Sequence, residues 1–293
     1  MSYVILALDW NSGYSKSTGG FFNEIIEFGA VKLDDDLNII EEFSLLIKPR
    51  ITKKLRSNIT ELTSITNDDL KSGTSFVSAM SRFSMFSGDS IIMTWSVTDL
   101  MTLQSNCDHY YGTRTIPFLS RYADLQAYCQ EMLFPEPKRS VSLGLLAAAG
   151  LLGIKTDDIK HHRAVGDSII AARCLKRLYY PPVLSGFIQN ADTPQFYGRL
   201  DFRNKILSDP DNPEIDRTAM TFNCYKCGAG AVRITPWEVK NKIFVSRQRC
   251  PLCKTEFRGR VKFKLTYDRL IPQKSIIIPK VIPVTPKQDG EEA

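Results

Sequence analysis

The chain has 293 residues, 43% of them hydrophobic and 24% charged, enough for one large domain and a small one of ordinary globular composition. Its most apolar window, Leu143 to Ile154, is far shorter than the roughly 20 residues that cross a bilayer, so no membrane span is expected. Met1–Leu6 has no basic segment ahead of its apolar run, which argues against a signal peptide, and a cytoplasmic location is expected. The net charge of +6 is unevenly divided: residues 1–180 carry −1 and residues 181–293 carry +7. A basic appendage suits a polyanion such as nucleic acid, or serves only as a solubilising surface.

Taken in chain order, Tyr3–Leu8 is a short apolar run that reads as a buried strand. Asn23–Leu33 and Ile39–Ile47 read as two further strands, with Asp34-Asp35-Asp36 as the turn between them. Thr66–Leu70 and Ser75–Phe86 read as helices, Ser75 being a candidate cap. Asp89–Trp95 is a fourth strand leading into a helix from about Val97 to Asn106, and Ser140–Leu152 and Gly166–Leu178 are two further helices. Strands first, then alternating helices and strands, predict an α/β domain with a mixed sheet. Pro181-Pro182 ends the last helix, and the Pro-, Asp- and Asn-rich stretch 181–220 reads as an irregular linker. From 269 to 293, repeated Pro and Lys suggest an extended or disordered tail.

Three segments end in groups able to do chemistry: Leu6-Ala7-Leu8-Asp9-Trp10-Asn11, Thr94-Trp95-Ser96-Val97-Thr98-Asp99 and His162-Arg163-Ala164-Val165-Gly166-Asp167. Carboxylates at strand and helix ends can converge on one sheet edge and hold divalent cations, which prefer oxygen ligands. A pair of such ions stabilises both the attacking and the leaving oxygen in phosphodiester hydrolysis, and a neighbouring histidine can take the proton of the attacking water. Taken singly, an Asp at a helix start is more often a cap, and a His an ordinary surface residue.

In order and context, this set resembles the DEDDh 3′–5′ exonucleases, the proofreading and ERI-like superfamily with a ribonuclease-H-like fold. The resemblance runs from residue 3 to about 178. It includes Glu24-Ile25-Ile26-Glu27-Phe28-Gly29-Ala30-Val31-Lys32-Leu33, similar to the family's second strand, Leu62-Thr63-Ser64-Ile65-Thr66, similar to its LTGIT turn, and Ser142-Leu143 before the penultimate helix. The resemblance implies a ribonuclease-H-like mixed sheet flanked by helices. It also implies a Mg²⁺ or Mn²⁺ pair on Asp9, Asp99 and Asp167, with His162 as general base; His161 has the wrong spacing for the H-x4-D motif.

The departure lies in the first motif, D-x-E in the family. Placing Asp9 at the family Asp leaves Asn11 at the Glu; aligning Trp10-Asn11 with the Trp-Asn of members reading DLEWNQ puts Ala7 at the Asp and Asp9 at the Glu. The second register matches more neighbours and is favoured. In either, one of four acidic ligands is missing, so metal occupancy should fall unless another acid such as Glu24 or Glu27 is recruited.

Cys224, Cys227, Cys250 and Cys253 form C-x2-C-x22-C-x2-C, while Cys107, Cys129 and Cys174 are scattered singly. This is ligand spacing for a structural Zn²⁺ in a small ribbon, preferred over a redox or unmetallated reading, with Gly228 placed for a tight turn. Val232–Thr235 and Lys242–Arg247 read as its strands. Cys224–Lys264 carries eleven cations against two anions, and Lys240, Lys242, Arg247, Arg249, Arg258 and Arg260 are candidate nucleic-acid contacts. The interleaved Trp237, Phe244, Phe257 and Phe263 either stack on bases or form the ribbon's core.

The expected organisation is an exonuclease-like domain over 1–180, a linker over 181–220, a basic four-cysteine zinc ribbon over 221–268 and a tail over 269–293. The expected function is metal-dependent 3′–5′ exonuclease action on single-stranded RNA or DNA ends, weakened by the degenerate first motif. The alternatives are an inactive exonuclease-fold protein that binds nucleic acid, and a zinc-ribbon protein-interaction adaptor.

Overall fold

Alternate residues of the first strand, β1 (Tyr3–Ser15), enter two different cores, which is why its sequence is apolar without interruption from Tyr3 to Leu8. Val4, Leu6 and Leu8 pack on one face with Phe28, Phe83, Leu100 and Leu103. Tyr3 and Ile5 pack on the other with Val31, Met93, Ile170 and Leu175. The computed structural model describes residues 2–15, 19–52, 54–134, 142–159 and 162–278, and the chain divides into two units, Met1–Asp201 and Phe202–Ala293.

In the first unit β1, β2 (Gly20–Leu33) and β3 (Ile39–Leu46) form an antiparallel meander. Asp34 closes its second turn, its Oδ1 accepting the amides of Asp36 at 3.0 Å and Asn38 at 2.7 Å. Strands β4 (Ile91–Thr94) and β5 (Arg121–Asp124) add in parallel, and β6 (Gln189–Asn190) closes the order β3-β2-β1-β4-β5-β6. This is the expected mixed sheet.

The helices are α1 (Ser57–Thr63), α2 (Asn67–Lys71), α3 (Phe76–Ser87), α4 (Val97–Tyr111), α5 (Leu125–Leu133), α6 (Leu145–Leu151), α7 (Ala164–Leu178), α8 (Pro181–Leu184) and α9 (Pro194–Asp201). Thr66 and Asp69 make a reciprocal capping box on α2, and Ser75 caps α3 through the Ser78 amide. The helix expected from Ser140 begins at Leu145, after Gly144; residues 135–141 lie outside the described residues. Pro181 starts α8 rather than only ending α7, since a first-turn position needs no amide hydrogen. Arg114 ties α9 to α4 by pairing with both Asp108 and Asp201.

The second unit is a sheet of β7 (Lys205–Leu207), β8 (Val232–Arg233), β9 (Glu238–Lys240), β10 (Ile243–Arg249), β11 (Glu256–Leu265) and β12 (Leu270–Ile277). The stretch read as an irregular linker therefore carries α8, α9, β6 and β7, and the first residues of the expected tail form β12, paired along β11 from Leu265 to Arg258. Asn241 and Lys242, with φ of 51° and 60°, make the tight turn between β9 and β10. No helix among the described residues is long and apolar enough to cross a membrane.

Candidate functional site

The acidic residues are brought together by the carboxy-terminal ends of the parallel strands. Asp9 follows the stretch of β1 that pairs with β4, Asp99 sits in the first turn of α4 just beyond β4, and Asp167 sits in the first turn of α7. Ser96 starts α4 by accepting the Thr98 amide, which fixes Asp99 one residue further on. Asp99 Oδ1 accepts the Leu8 amide at 3.0 Å, locking α4 to β1 beside Asp9.

Helix α7 reaches the site because β2 has Gly29 beneath it. A Cβ at Gly29 would lie 2.0 Å from the Val165 amide nitrogen and 2.1 Å from the Ala164 carbonyl carbon. The Ser168 hydroxyl donates to the Gly29 carbonyl at 3.0 Å. Arg163 forms a two-pronged ion pair with the fully buried Glu27, Nε to Oε2 at 2.9 Å and Nη2 to Oε1 at 2.6 Å. The Ala164 amide is shared between Asp9 Oδ2 at 3.1 Å and Glu27 Oε2 at 3.3 Å.

Asp9, Asp99 and Asp167 line one pocket of about 360 Å³, walled also by Ala7, Ile59, Leu62, Thr63, Trp95 and Leu145. Burial pushes the Asp9 carboxyl up to about 8, helped by its hydrogen bond to Glu27 and the negative charges of Glu27 and Asp167. Burial likewise pushes Asp99 up to about 7, with repulsion from Asp167 and Asp124 adding to it. Glu27 goes the other way: burial raises its carboxyl, but Arg163, together with the hydrogen bonds from Asp9 and the Ala164 amide, outweighs burial and holds it below the usual carboxylate range. A half-buried set of oxygen donors near like charges is suited to a hard divalent cation.

Several sequence expectations are redistributed. Ala7 lines the pocket on the same face of β1 as Asp9, so a methyl group stands beside the acids. Asn11 is buried and serves structure, donating to the Lys54 carbonyl at 2.9 Å and accepting the Arg56 amide at 3.2 Å. Glu24 is no spare ligand, because both its oxygens are taken by the 50–52 backbone and the Thr52 and Tyr110 hydroxyls. His162 is exposed, with φ of 56°, and the wall of the pocket does not include it; His161 lies outside the described residues. Asp124, outside the residues expected in the site, caps α5 through the Ala127 amide at 2.9 Å and is raised by burial. Its one signal was an acid before a helix, in a strand of four residues.

In the second unit the four cysteine sulfurs lie within 4.8 Å of one another. The separations Cys224–Cys253, Cys227–Cys250 and Cys227–Cys253 are each 3.5 Å, far beyond the roughly 2.05 Å of a disulfide. Four thiolates about 2.3 Å from a tetrahedral ion stand about 3.8 Å apart, so the cluster can hold a metal ion. Two like turns build it: Gly228 N–H donates to the Cys224 carbonyl at 2.8 Å, and Lys254 N–H to the Cys250 carbonyl at 3.0 Å.

Of the aromatics offered for stacking, Phe244, Phe257 and Phe263 are buried in this unit's core, and Trp237 packs against it. The alternation of β10 and β11 sends the cations to the opposite face: Arg247, Arg249, Arg258 and Arg260 share it, with Lys240 on β9 and Lys242 in the adjoining turn. Glu256 pairs with Arg247 and Glu238 with Lys240 on that face.

A family model described as exonuclease, of the RNase T type, matches residues 21–175. The chain belongs to this exonuclease family. It is 31% identical over 175 residues to the PolC-type DNA polymerase III of Clostridium perfringens, covering 59% of this chain but 11% of that one. It is 28% identical over 162 residues to the probable 3′-5′ exonuclease KapD of Bacillus subtilis, covering 55% of this chain and 75% of that one. Among solved structures it is similar to the nuclease domain of 3′hExo, a DEDDh family member bound to rAMP, with a TM-score of 0.51 at 23% identity over 60% of this chain and 90% of that one. A second match is cell-death related nuclease 4, with a TM-score of 0.51 at 20% identity over 60% of this chain and 62% of that one. These structural matches show the fold.

Proposed function

We propose that the chain is a metal-dependent 3′–5′ exonuclease that removes nucleotides from RNA or DNA ends in the acidic pocket of the first unit. The observation that carries this reading is that Asp9, Asp99 and Asp167, from three distant segments, line one pocket in a chain of the exonuclease family. The three carboxylates would hold Mg²⁺ or Mn²⁺, which supplies charge stabilisation for the attacking and leaving oxygens. Arg163, by fixing Glu27 and the start of α7, positions Asp167. His162 is assigned the proton of the attacking water. Water adds to phosphorus, the bond to the upstream 3′ oxygen breaks, and that oxygen takes up a proton. A mononucleotide leaves and a new 3′ hydroxyl remains.

The four cysteines are assigned a structural Zn²⁺, as a closed four-thiolate site leaves no position for substrate. The basic face of Lys240, Lys242, Arg247, Arg249, Arg258 and Arg260 is assigned to phosphates. With Phe244, Phe257 and Phe263 buried, that binding rests on charge.

Incubation of the purified protein with Mg²⁺ or Mn²⁺ and end-labelled RNA and DNA should give stepwise 3′ shortening that Asp167→Ala abolishes. Shortening no greater than that of Asp167→Ala would sink the catalytic reading. Ala7 favours a second reading, nucleic-acid binding without catalysis, because its methyl group offers no oxygen to an ion. Under that reading binding is salt-sensitive and indifferent to Asp167→Ala.

A further inference from the structure

The loop between β3 and α1 is held from beneath with unusual thoroughness. Glu24, 1% exposed, accepts the amides of Arg50 at 2.6 Å, Ile51 at 2.9 Å and Thr52 at 2.6 Å, and the hydroxyls of Thr52 at 2.8 Å and Tyr110 at 2.6 Å. Asn11, fully buried, grips the same loop at the Lys54 carbonyl and the Arg56 amide. At Gly13 a Cβ would lie 2.7 Å from Thr52 Cγ2, so the loop packs directly on β1. Burying a carboxylate and a carboxamide is costly unless their bonds are made, and here all but that from the Tyr110 hydroxyl are made to one loop.

The fixed backbone turns cations outward. Arg50, Lys54 and Arg56 are exposed, and none of them is paired with a carboxylate among the described residues. With His109, Tyr14 and Phe21 they line a groove of about 970 Å³, and none of its described lining residues is acidic. Tyr14 and Phe21 are 65% and 75% exposed and meet edge to face, with ring centroids 6.1 Å apart. The groove adjoins the acidic pocket along the chain: Ile5–Trp10 line the pocket and Ser12–Ser15 the groove. Arg56 precedes α1, whose Ile59, Leu62 and Thr63 stand in the pocket wall.

We propose that this groove seats the single-stranded nucleic acid upstream of the end held in the acidic pocket. Phosphates lie on Arg50, Lys54 and Arg56, and a base lies on the Tyr14–Phe21 pair. Cations track any polyanion, but exposed aromatic faces beside them select one with bare bases; a duplex keeps its bases stacked inward. The direction of the strand rests on the exonuclease reading of the pocket; the groove's affinity for a single strand does not.

The test uses the full chain, with binding measured without added magnesium or manganese so that no turnover intervenes. For a labelled single strand, Arg50→Gln/Lys54→Gln/Arg56→Gln should lower the slope of log affinity against log salt by about two, at about 0.7 per phosphate contact. Tyr14→Ala/Phe21→Ala should weaken binding roughly tenfold at unchanged slope, and Tyr14→Trp/Phe21→Trp should retain the affinity. An iodouracil placed upstream of the 3′ end should cross-link to Tyr14 or Phe21. An unchanged slope, an equal loss with a blunt duplex, or cross-links confined to the second unit each overturn the proposal. If no 3′ end is shortened by the wild type, the exonuclease reading falls while slope and cross-link still decide the groove. If ends are shortened and the slope is unchanged, the groove alone falls.

Discussion

The acidic pocket and the cysteine cluster are both sets of ligand-type side chains, assembled in opposite ways. The pocket draws on residues 9, 99 and 167, each delivered by a different element, so its geometry depends on the packing of the whole first unit. The cluster is made by two turns with like internal hydrogen bonds, the second of them closing the hairpin of β10 and β11. Burial, with repulsion from Asp167 and other neighbouring acids, raises the carboxyls of Asp9 and Asp99. The four sulfurs already lie at near-ligand separations. In the first unit the fold makes the site; in the second, on the structural-zinc reading, the site would make the fold. Substitutions that destroy one link while sparing the other break or sharpen that contrast.

The largest effect belongs to Cys250→Ser. A small sheet around Phe222, Phe244, Phe257 and Phe263 that depends on its ion should lose on the order of 10 kcal/mol of metal-coupled folding energy. Amide exchange in β10 and β11 should then approach that of an unfolded chain, together with loss of bound zinc by elemental analysis. Persistent protection there would mean that the four phenylalanines suffice and that the ion is incidental.

Gly29→Ala tests the converse in the first unit. The new methyl would stand 2.0 Å from the Val165 amide nitrogen, with backbone rather than a flexible side chain to displace. We expect a loss of about 3 kcal/mol or more in denaturant unfolding of this unit, with activity falling further because Asp167 rides on α7. A variant of wild-type stability would show that α7 is not seated by that glycine.

Glu24→Gln probes the groove floor. Replacing a buried carboxylate that accepts from three amides and two hydroxyls should cost roughly 1.5–3 kcal/mol at neutral pH. Burial raises this carboxyl, but the hydrogen bonds from Tyr110, Thr52, Arg50 and Ile51 outweigh burial and hold it below the usual value of 4.5. The stabilisation is therefore present above that value and is lost as pH falls through the lowered one. Acid titration of unfolding should show a step below pH 4.5 in the wild type that is absent in Glu24→Gln.

What was legible in the sequence follows the same division. The cysteine spacing is local, so two turns could be read directly, and so could the Ser75 cap, the Asp34 turn and the first half of β1, Tyr3–Leu8, although the strand runs on to Ser15. Arg163 and Glu27 stand 136 positions apart and Asp99 meets Leu8 across 91, so neither contact leaves a periodic trace. Strand β5 is four residues long, too short for an alternation to emerge, and Asp124 went unnoticed with it. Phe244, Phe257 and Phe263 were ambiguous because a strand with cations on one face and aromatics on the other looks the same whether the aromatics face a base or a core.

Ala7→Asp sharpens the first-motif question. A further acid beside Asp9 should lower stability by about 1 kcal/mol without divalent ion, through like-charge repulsion and burial. Magnesium or manganese should restore it, and exonuclease rate should rise about tenfold, which is about 1.4 kcal/mol of barrier. Asn11→Glu is the other register's repair, and it should instead disrupt the Lys54 and Arg56 contacts. A gain from Asn11→Glu and none from Ala7→Asp, read as initial rates on one labelled strand, would reverse the register.

The smallest effect compares the two cysteine turns with each other. Both need a left-handed residue after the second cysteine: Gly228 at φ 75° and Lys254 at φ 59°. Glycine accepts that conformation freely, whereas a residue with a Cβ meets its carbonyl oxygen at a cost of about 1 kcal/mol. Lys254 Nζ recovers part of this by donating to the Pro251 carbonyl at 2.8 Å. Lys254→Gly should therefore stabilise the zinc-loaded unit by a few tenths to about 1 kcal/mol, less the greater freedom of glycine in the unfolded chain. Gly228→Lys should destabilise it by a similar amount, and thermal unfolding of the loaded protein reads both. Equal and opposite shifts would show that the two turns carry the ion alike. A loss from Lys254→Gly would instead give the Pro251 contact, and not the backbone, the larger share in the second turn.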